Sequence, residues 1–253
     1  MEHTLTRPLE VNNKIRWSIV TGLASVHALA LSAAIPWLFS WSGLFLMIFG
    51  LYFFGTLGIN LCYHRLLTHR SFKCPVWLNR VLTILGLCNM QGSSIRWVAA
   101  HRIHHQHSDH RPDPHSPFVS FLWSHVGWLC VWNHKSDSLE GLRRYAGDLC
   151  RDPFHLKMEK NQNWIWIWVG HVVLFFLGGA IFGAFFGEAL RMGLSWVVWG
   201  VLVRHVAVWH ITWAINSVTH VWGYRNFDTP DNSKNNWLLG YILSLIHISE
   251  PTR

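Results

Sequence analysis

Hydrophobic and polar positions fall in long blocks along this chain, and two of the apolar blocks are long enough to cross a lipid bilayer twice. The stretch 17–61 is almost uncharged and is about twice the roughly 20 residues that one spanning helix needs. Its polar interruption at 40–43 predicts a hairpin of two spans, over about 17–39 and 43–62.

The second block, 164–217, is interrupted at 187–191, where a glycine stands beside a glutamate and close to an arginine. This pattern predicts a second hairpin with a short external turn, so that both termini lie on the same side of the membrane. The run 194–220 would be about 40 Å long as a helix, against a hydrocarbon core of about 30 Å. Its last turns should therefore project beyond the bilayer.

Residues 70–162 lie between the hairpins, hold most of the charged side chains and contain no apolar run of about 20 residues. Within them, the pattern over 76–89 predicts a helix too short to span. The stretch 118–132 is rich in Trp and Phe and predicts a helix lying in the membrane interface. The whole pattern predicts an all-α membrane protein, with four transmembrane helices in two hairpins and a cytosolic helical cap.

The composition supports the same class. The chain is 51% hydrophobic, only 13% charged and contains 17 tryptophans, which is not typical of a soluble domain. Its formal charge of +8 comes mostly from basic residues that flank the apolar blocks, as expected for loops retained on the cytosolic side, and we expect no nucleic-acid partner. The first apolar run is too long for a signal-peptide core and should remain as an anchor. The five cysteines show no Cys-x-x-Cys spacing, which argues against a thiolate metal site.

Histidine is concentrated in one segment, with six imidazoles between residues 101 and 115. In a helix, His101, His104 and His105 would share one face and could bind a metal ion. Imidazole is a usual ligand of zinc, iron, copper and nickel, so the residue type alone does not select the metal. The alternative is a solvated basic loop.

Two further polar pairs lie at the ends of predicted spans. His64 and His69 are five residues apart, about 140° on an ideal α-helix, so they could bind one metal only across a site or where the helix loosens. Asn216 and His220 are spaced i, i+4 near the end of the last span. Each pair alone could be an ordinary interfacial feature.

The other histidines are expected to make ordinary hydrogen bonds, although His115 is the first we would add to the site, as a ligand or as a partner of one. Arg204 and His205 fall inside an apolar run and should face inward, without an assigned role. The histidines left outside the site are His3, His27, His107, His110, His125, His134, His155, His171, His205, His210 and His247.

Taken together, these pairs and their order along the chain resemble the integral-membrane fatty acyl desaturases. The matching boxes are His64-x4-His69, His101-x2-His104-His105 and Asn216-Ser-x2-His220, and the resemblance covers about 17–245. It extends to Ser108-Asp109, Asp113-Pro-His115 and Ser124-His-Val-Gly-Trp128.

This resemblance implies a di-iron centre at the cytosolic rim that uses O2 to form a cis double bond in a long-chain fatty acyl substrate. Electrons would come from NAD(P)H through a reductase and a cytochrome-b5-type or ferredoxin carrier. A bent substrate tunnel with Gln91, Trp97 and Thr212 at its kink, and Trp213 beside them, would favour a Δ9-type product. The implied metal ligands are His64, His69, His101, His104, His105 and His220, with Asn216 acting through a water.

Two departures concern the acyl carrier. The acyl-CoA enzymes carry Arg-Asp and Arg-Lys pairs near the CoA phosphates, where this chain has Ala99-Ala100 and Trp132-Asn133. Without charge-assisted phosphate contacts CoA loses a main reason to bind, so a glycerolipid is an alternative carrier.

The third departure concerns the end of the chain. The family continues after residue 245 into a third box, His-x2-His-His, whereas residues 246–253 here resemble a translated sequencing adapter. We therefore expect a desaturase domain over 1–245 that lacks its third box, an artefactual tail over 246–253, and an inactive chain as written.

Two other functions remain open from the sequence. A related membrane di-iron hydroxylase of fatty acyl chains or alkanes would carry similar histidine boxes. A histidine-rich metal transporter would instead place ionisable ligands along a path within its spans. The matched histidines are predicted at one rim, which favours the enzymes.

Overall fold

The computed structural model describes residues 11–108, 113–224 and 234–236. That part of the chain contains four helical segments long and apolar enough to cross a membrane, as predicted. The first hairpin begins with α1 (Trp17–Ala30), which ends in two 3₁₀ turns (Leu31–Ala34 and Pro36–Leu38). It returns through α2 (Trp41–Gly50), which runs directly into a first π-helix (Leu51–Thr68). The second span is therefore longer than the predicted 43–62.

Local chemistry explains the turn of this hairpin. The Ser40 side chain caps α2 by accepting a hydrogen bond from Gly43 N at 3.0 Å. The same hydroxyl lies 2.7 Å from Ser195 Oγ in the last span, so the cap also joins the two hairpins.

Two helices follow the first hairpin. The short helix α3 (Val76–Leu87) packs along the first π-helix, close to the predicted 76–89. After a turn at 88–93, α4 (Ser94–His107) is capped by Ser93, whose side chain accepts a hydrogen bond from Arg96 N. Apolar side chains of these three elements contribute to the larger buried core, which includes Ile59, Leu87, Ile95, Val98 and Ile103.

The predicted single helix over 118–132 is wrong. This stretch forms a short helix α5 (Phe121–His125), a 3₁₀ turn (Gly127–Cys130) and a strand β2 (Val131–Asn133). The helix stops because Val126 takes φ −139° and is followed by a glycine. Strand β2 pairs antiparallel with β1 (Val11–Ile15), so the N-terminal segment gives the aromatic stretch an extended partner that its own pattern does not reveal.

Short helices complete the cap, and ion pairs connect the cap to α4 and to the end of the first π-helix. Arg102 of α4 binds Asp148 at 2.7 Å and donates to Leu67 O at the end of the first π-helix, also at 2.7 Å. Arg70 binds the other oxygen of Asp148 at 2.6 Å. Burial alone would raise the pKa of Asp148, but hydrogen bonds from Arg102 and Arg70 hold it below its ordinary value. The remaining cap elements are α6 (His134–Asp137), α7 (Leu139–Tyr145), α8 (Gly147–Cys150), α9 (Pro153–Glu159) and a 3₁₀ turn (Lys160–Gln162).

The second hairpin matches its prediction. Helix α10 (Trp164–Ala184) is followed by a turn in which Gly187 has φ +71°, a left-handed conformation that favours glycine. The return span consists of α11 (Ala189–Val197), a second π-helix (Val198–Val203) and α12 (Arg204–Val221). The span Ala189–Val221 has 33 residues, or about 50 Å of helix, so it projects beyond a bilayer core of about 30 Å.

Candidate metal centre and adjoining cavity

The first π-helix places His64 and His69 side by side. The backbone N–H of His69 donates to the carbonyl of His64 at 3.0 Å, which is the i to i−5 bond of a π-helix. Residues five apart therefore stack on one face, and the two Nε2 atoms lie 3.0 Å apart. This is how the helix loosens to overcome the 140° separation expected from α-helical spacing.

Helix α4 supplies the opposite half of the same cluster. His101 and His105 are one α-helical turn apart, and their Nε2 atoms are 3.1 Å from each other. One ligand nitrogen from each of His64, His69, His101 and His105 lies within 4.8 Å of all the others. We call these four residues the four-histidine cluster.

The third histidine of the α4 box points elsewhere. His104 Nδ1 is 2.9 Å from the buried carboxylate of Asp113, and its ring centroid is 4.3 Å from that of His115. Asp113 also accepts from the backbone N–H of His115 at 3.1 Å. We call His104, Asp113 and His115 the His104 cluster. The ring of His220, at the end of α12, is 6.1 Å from that of His104.

The sequence did not assign Asp113 a role, although the Asp-Pro-His motif that contains it was noticed. In the structure its carboxylate can accept the Nδ1–H of His104, which fixes the ring and leaves Nε2 for a ligand. His115, the first additional candidate, does lie beside a predicted ligand. The three histidines of the α4 box, His101, His104 and His105, therefore divide between two neighbouring clusters and do not form one group of ligands.

Electrostatics favours neutral imidazoles here. Burial, followed by the neighbouring histidines, lowers the pKa of His101 well below its ordinary value, that of His105 to about 4 and that of His115 to about 3. Burial would raise the pKa of Asp113, but His115 and His104 lower it to about 2. Neutral rings oriented by an ionised carboxylate are what metal binding requires.

The donor set fits metal binding. A structural zinc site closes at four ligands, which would use the four-histidine cluster and leave the His104 cluster unexplained. Two neighbouring groups of nitrogen donors fit two metal ions better, and imidazole suits iron. Which side chains ligate remains a prediction.

A cavity of about 280 Å³ adjoins both clusters. His64, His101 and His115 line it, together with Asn216 and Trp213. The remaining wall is mostly apolar and includes residues 22–23 of α1. Such a mostly apolar lining suits a hydrocarbon chain.

The three residues expected at the tunnel kink are linked by two hydrogen bonds in this cavity, with Gln91 in the middle. Trp97 Nε1 donates to Gln91 Oε1 at 3.0 Å, and Gln91 Nε2 donates to Thr212 Oγ1 at 3.2 Å. All three line the cavity. The chain of bonds joins α4, the turn before it and α12 across the cavity wall.

The polar part of the cavity wall is electrically balanced. Arg16 pairs with Asp137 at 3.1 Å, while Arg96 pairs with Asp137 at 3.2 Å and with Glu159 at 2.7 Å. At the two positions where the acyl-CoA enzymes carry charged pairs, Ala99, Ala100 and Asn133 are buried.

Several histidines that we left outside the site make ordinary hydrogen bonds. His210 lies between His27 and His125, with ring nitrogens 3.1 and 3.0 Å away. His205 accepts from Trp168 Nε1 at 2.9 Å, and both His205 and Arg204 are buried, as expected.

Fold and site together define a membrane protein with two histidine clusters that could hold metal ions at one end of its spans and a mostly apolar cavity beside them. The model of the fatty acid desaturase family matches residues 35–246, and the chain belongs to this family of oxidoreductases. It is 39% identical over 240 residues to the sn-1 stearoyl-lipid 9-desaturase of Anabaena variabilis, covering 95% of this chain and 80% of that protein.

Other relatives act on different acyl carriers by name. The chain is 38% identical over 230 residues to the sn-2 palmitoyl-lipid 9-desaturase of Nostoc sp. (strain 36), covering 90% of this chain and 75% of that protein. It is also 38% identical over 224 residues to an acyl-CoA 5-desaturase of Anemone leveillei, covering 88% of this chain and 64% of that protein.

Proposed function

We propose that this protein is a fatty acyl desaturase that introduces a Δ9-type cis double bond into a long acyl chain of a membrane glycerolipid. The observation that carries the proposal is the cavity that runs from the clustered histidines past the bonded residues Gln91, Trp97 and Thr212. The two relatives described above as 9-desaturases of acyl lipids support the same position and carrier.

The metal centre we propose is di-iron. His64, His69, His101 and His105 would hold one ion, and His104, with His220 and with Asn216 through a water, would contribute to the other. His115 and Asp113 would orient His104. Bound iron would supply the activation of O2 that removes two hydrogens from neighbouring methylenes.

The chain's own residues would hold the substrate still and exclude water. A bound acyl chain would displace solvent from the apolar cavity, which strengthens polar interactions at the histidine end. The wall residues would fix which pair of methylenes lies closest to the histidines, so reach and orientation are set before chemistry begins.

The glycerolipid carrier is proposed on electrostatic grounds. The two arginines on the cavity wall are each matched by carboxylates, so they offer little free positive charge to the phosphates of CoA. Alanines and an uncharged pair replace the charged pairs of the acyl-CoA enzymes. Selective binding of acyl-CoA would mean that Lys135, Arg143 or Arg144 supplies the missing charge.

The remaining partners follow from the redox balance. Forming a double bond with O2 consumes two electrons beyond those of the substrate, which a cytochrome-b5-type or ferredoxin carrier with an NAD(P)H reductase would supply. The cap that carries the histidines is rich in basic residues, which favours the cytosolic side.

The test is expression of the full-length gene in a host that lacks its own desaturase, followed by lipid analysis with localisation of double bonds. We expect new Δ9 monounsaturated chains in glycerolipids, and none from a His101→Ala variant. Matched acyl-CoA and acyl-lipid substrates supplied to membranes would decide the carrier. Absence of unsaturated chains, or a hydroxylated product, would contradict the proposal.

A further inference from the structure

A fully buried arginine lies deep in the last span. Arg204 begins α12 and is 0% exposed, about 20 Å along the helix from Arg191 at the external turn. Charged side chains at such depth are costly and are normally retained for a function. Among the described residues, no carboxylate contacts Arg204, so its charge must be compensated in another way.

Three neutral groups surround the guanidinium. Arg204 Nη2 donates to the carbonyl of Cys88 at 3.1 Å and to His171 Nε2 at 2.9 Å. The guanidinium carbon also lies 4.2 Å above the ring centre of Phe54, a cation–π contact.

His205 is not a third acceptor, although its Nδ1 is 3.2 Å from Arg204 Nη2. The ring accepts from Trp168 at Nε2, so its proton must be on Nδ1, where it donates to Val201 O at 2.5 Å. Both hydrogens of Arg204 Nη2 are therefore used by Cys88 and His171.

The carbonyl of Cys88 has a special position. Cys88 directly follows α3, whose C-terminus carries the negative end of the helix dipole. Arg204 thus neutralises a helix end that is buried in the bundle, and the helix end in turn compensates Arg204. The next carbonyl, of Asn89, accepts from Trp209 Nε1 at 2.8 Å. Two side chains of α12 therefore hold two successive carbonyls.

The turn that contains these two carbonyls also contains Gln91, one of the three residues expected at the kink of the cavity. Met90 and Gly92 both take left-handed backbone conformations, with φ of 54° and 86°. Gln91 stands between them and bonds Trp97 and Thr212. A left-handed methionine is strained and persists only where neighbouring contacts hold it.

We propose that Arg204 and Trp209 are positioning residues that clamp residues 88–89, thereby fix Gln91, and so determine which carbon atoms of the acyl chain become the double bond. The proposal rests on the proposed function, because it assumes that an acyl chain bends at Gln91. Moving Gln91 along the cavity by one carbon–carbon bond would bring a different pair of methylenes beside the histidines.

The test compares Trp209→Phe, Arg204→Met and Arg204→Lys with a matched control, Trp199→Phe. Trp199 Nε1, ten residues before Trp209 in the same span, donates to Leu38 O at 3.1 Å, so the control removes the same kind of bond away from the kink. Two readouts are needed: the amide hydrogen exchange of residues 88–97 in purified protein, and the positional isomers of the product formed by the full-length protein in the desaturase-lacking host.

We expect exchange over 88–97 to rise about fivefold in Trp209→Phe, the population change equivalent to one ordinary hydrogen bond. It should rise more in Arg204→Met, less in Arg204→Lys, and not at all in the control. Isomers at other positions should increase in the same order. If Arg204→Met fails to fold, Trp209→Phe still decides the question.

Two results would overturn the proposal: unchanged exchange in Trp209→Phe, or faster exchange with an unchanged isomer distribution. A failure of the proposed function is distinguishable, since the unmodified protein would then form no unsaturated product. In that case the exchange measurement alone would decide whether the clamp holds the Gln91 turn.

Discussion

The two histidine clusters of this protein are built in different ways. The four-histidine cluster takes two residues from the end of the first π-helix and two from α4, each pair set by regular helical spacing. The His104 cluster takes one residue from α4, two from the loop that follows, and has His220 of α12 nearby. The first site is therefore preorganised by secondary structure, while the second depends on tertiary contacts.

This difference predicts unequal metal binding. Four imidazoles converge in the first cluster, whereas the second brings His104 together with His115 and with the carboxylate of Asp113 that orients it. We expect the first site to bind iron more tightly in this chain.

The largest effect should come from removing a ligand of the four-histidine cluster. Loss of a partner that only orients a ligand costs about 10- to 100-fold in metal affinity, so His101→Ala should cost more than about 100-fold. Iron per chain, measured by elemental analysis, checks this. His210→Ala is the control, because within the described part of the chain that ring hydrogen-bonds only other histidines, away from the cluster. Equal iron in both variants would contradict the ligand assignment.

The second-largest loss of iron is expected when the length of the first π-helix is changed. One alanine inserted between Leu66 and Leu67 should rotate His69 away from His64, because the pair is aligned by a bond between residues five apart. Deleting Leu67 should be milder, since residues four apart also share a face in an α-helix. We expect the insertion to lose most of the iron at the first site and the deletion to keep more. The reverse order would show that the π geometry is not what aligns the pair.

The four spans could be predicted from the sequence, whereas the π-helix and strand β2 could not. The four spans were predictable because a bilayer requires long uncharged runs, and Ser40 and Gly187 marked the turns. The π-helix was not, because its residues are equally compatible with an α-helix and only the His64–His69 spacing indicated a problem. The strand Val131–Asn133 was missed because its partner lies more than 100 residues earlier in the chain.

The residues of the candidate site could likewise be predicted only in part. The boxes predicted the candidate metal ligands as one group, but the separation of His104 from His101 and His105 depends on where Asp113 and His115 fold back. The kink residues Gln91, Trp97 and Thr212 came from a family resemblance alone, since nothing in their spacing indicates that they touch. The predicted loss of the third box and the predicted artefactual tail over 246–253 concern residues outside those that the structure describes.

A smaller effect should follow from Asp113→Asn. The amide keeps the shape but loses the charge that orients His104, so the second site should weaken about 10- to 100-fold while the first is unchanged. Asp152→Asn is a matched control, because Asp152 pairs with Arg80 in the cap at 2.5 Å. Spectroscopic titration with ferrous iron would separate the two sites. Weakening of both sites would mean that the clusters act as one unit.

A separate prediction, on stability rather than on iron binding, concerns the pH dependence of the cap. His155 is 1% exposed, lies 2.8 Å from Ser94 Oγ and has its pKa lowered by burial to about 4. Between about pH 6.5 and pH 4 the unfolded chain binds a proton at His155 that the folded chain does not. The free energy of unfolding should therefore decrease by up to about 3 kcal/mol as the pH falls through this range. Thermal unfolding followed by tryptophan fluorescence should show a weaker fall for His155→Gln. An identical pH profile for both proteins would contradict the role given to His155.

The measurement that tests the account most directly is the amount of iron held per chain, before and after extensive dialysis. We predict that the four-histidine cluster keeps its iron ion through dialysis and that the His104 cluster loses its own. Two firmly held iron ions would contradict the unequal sites. Failure of the chain to bind any iron would contradict the metal centre itself.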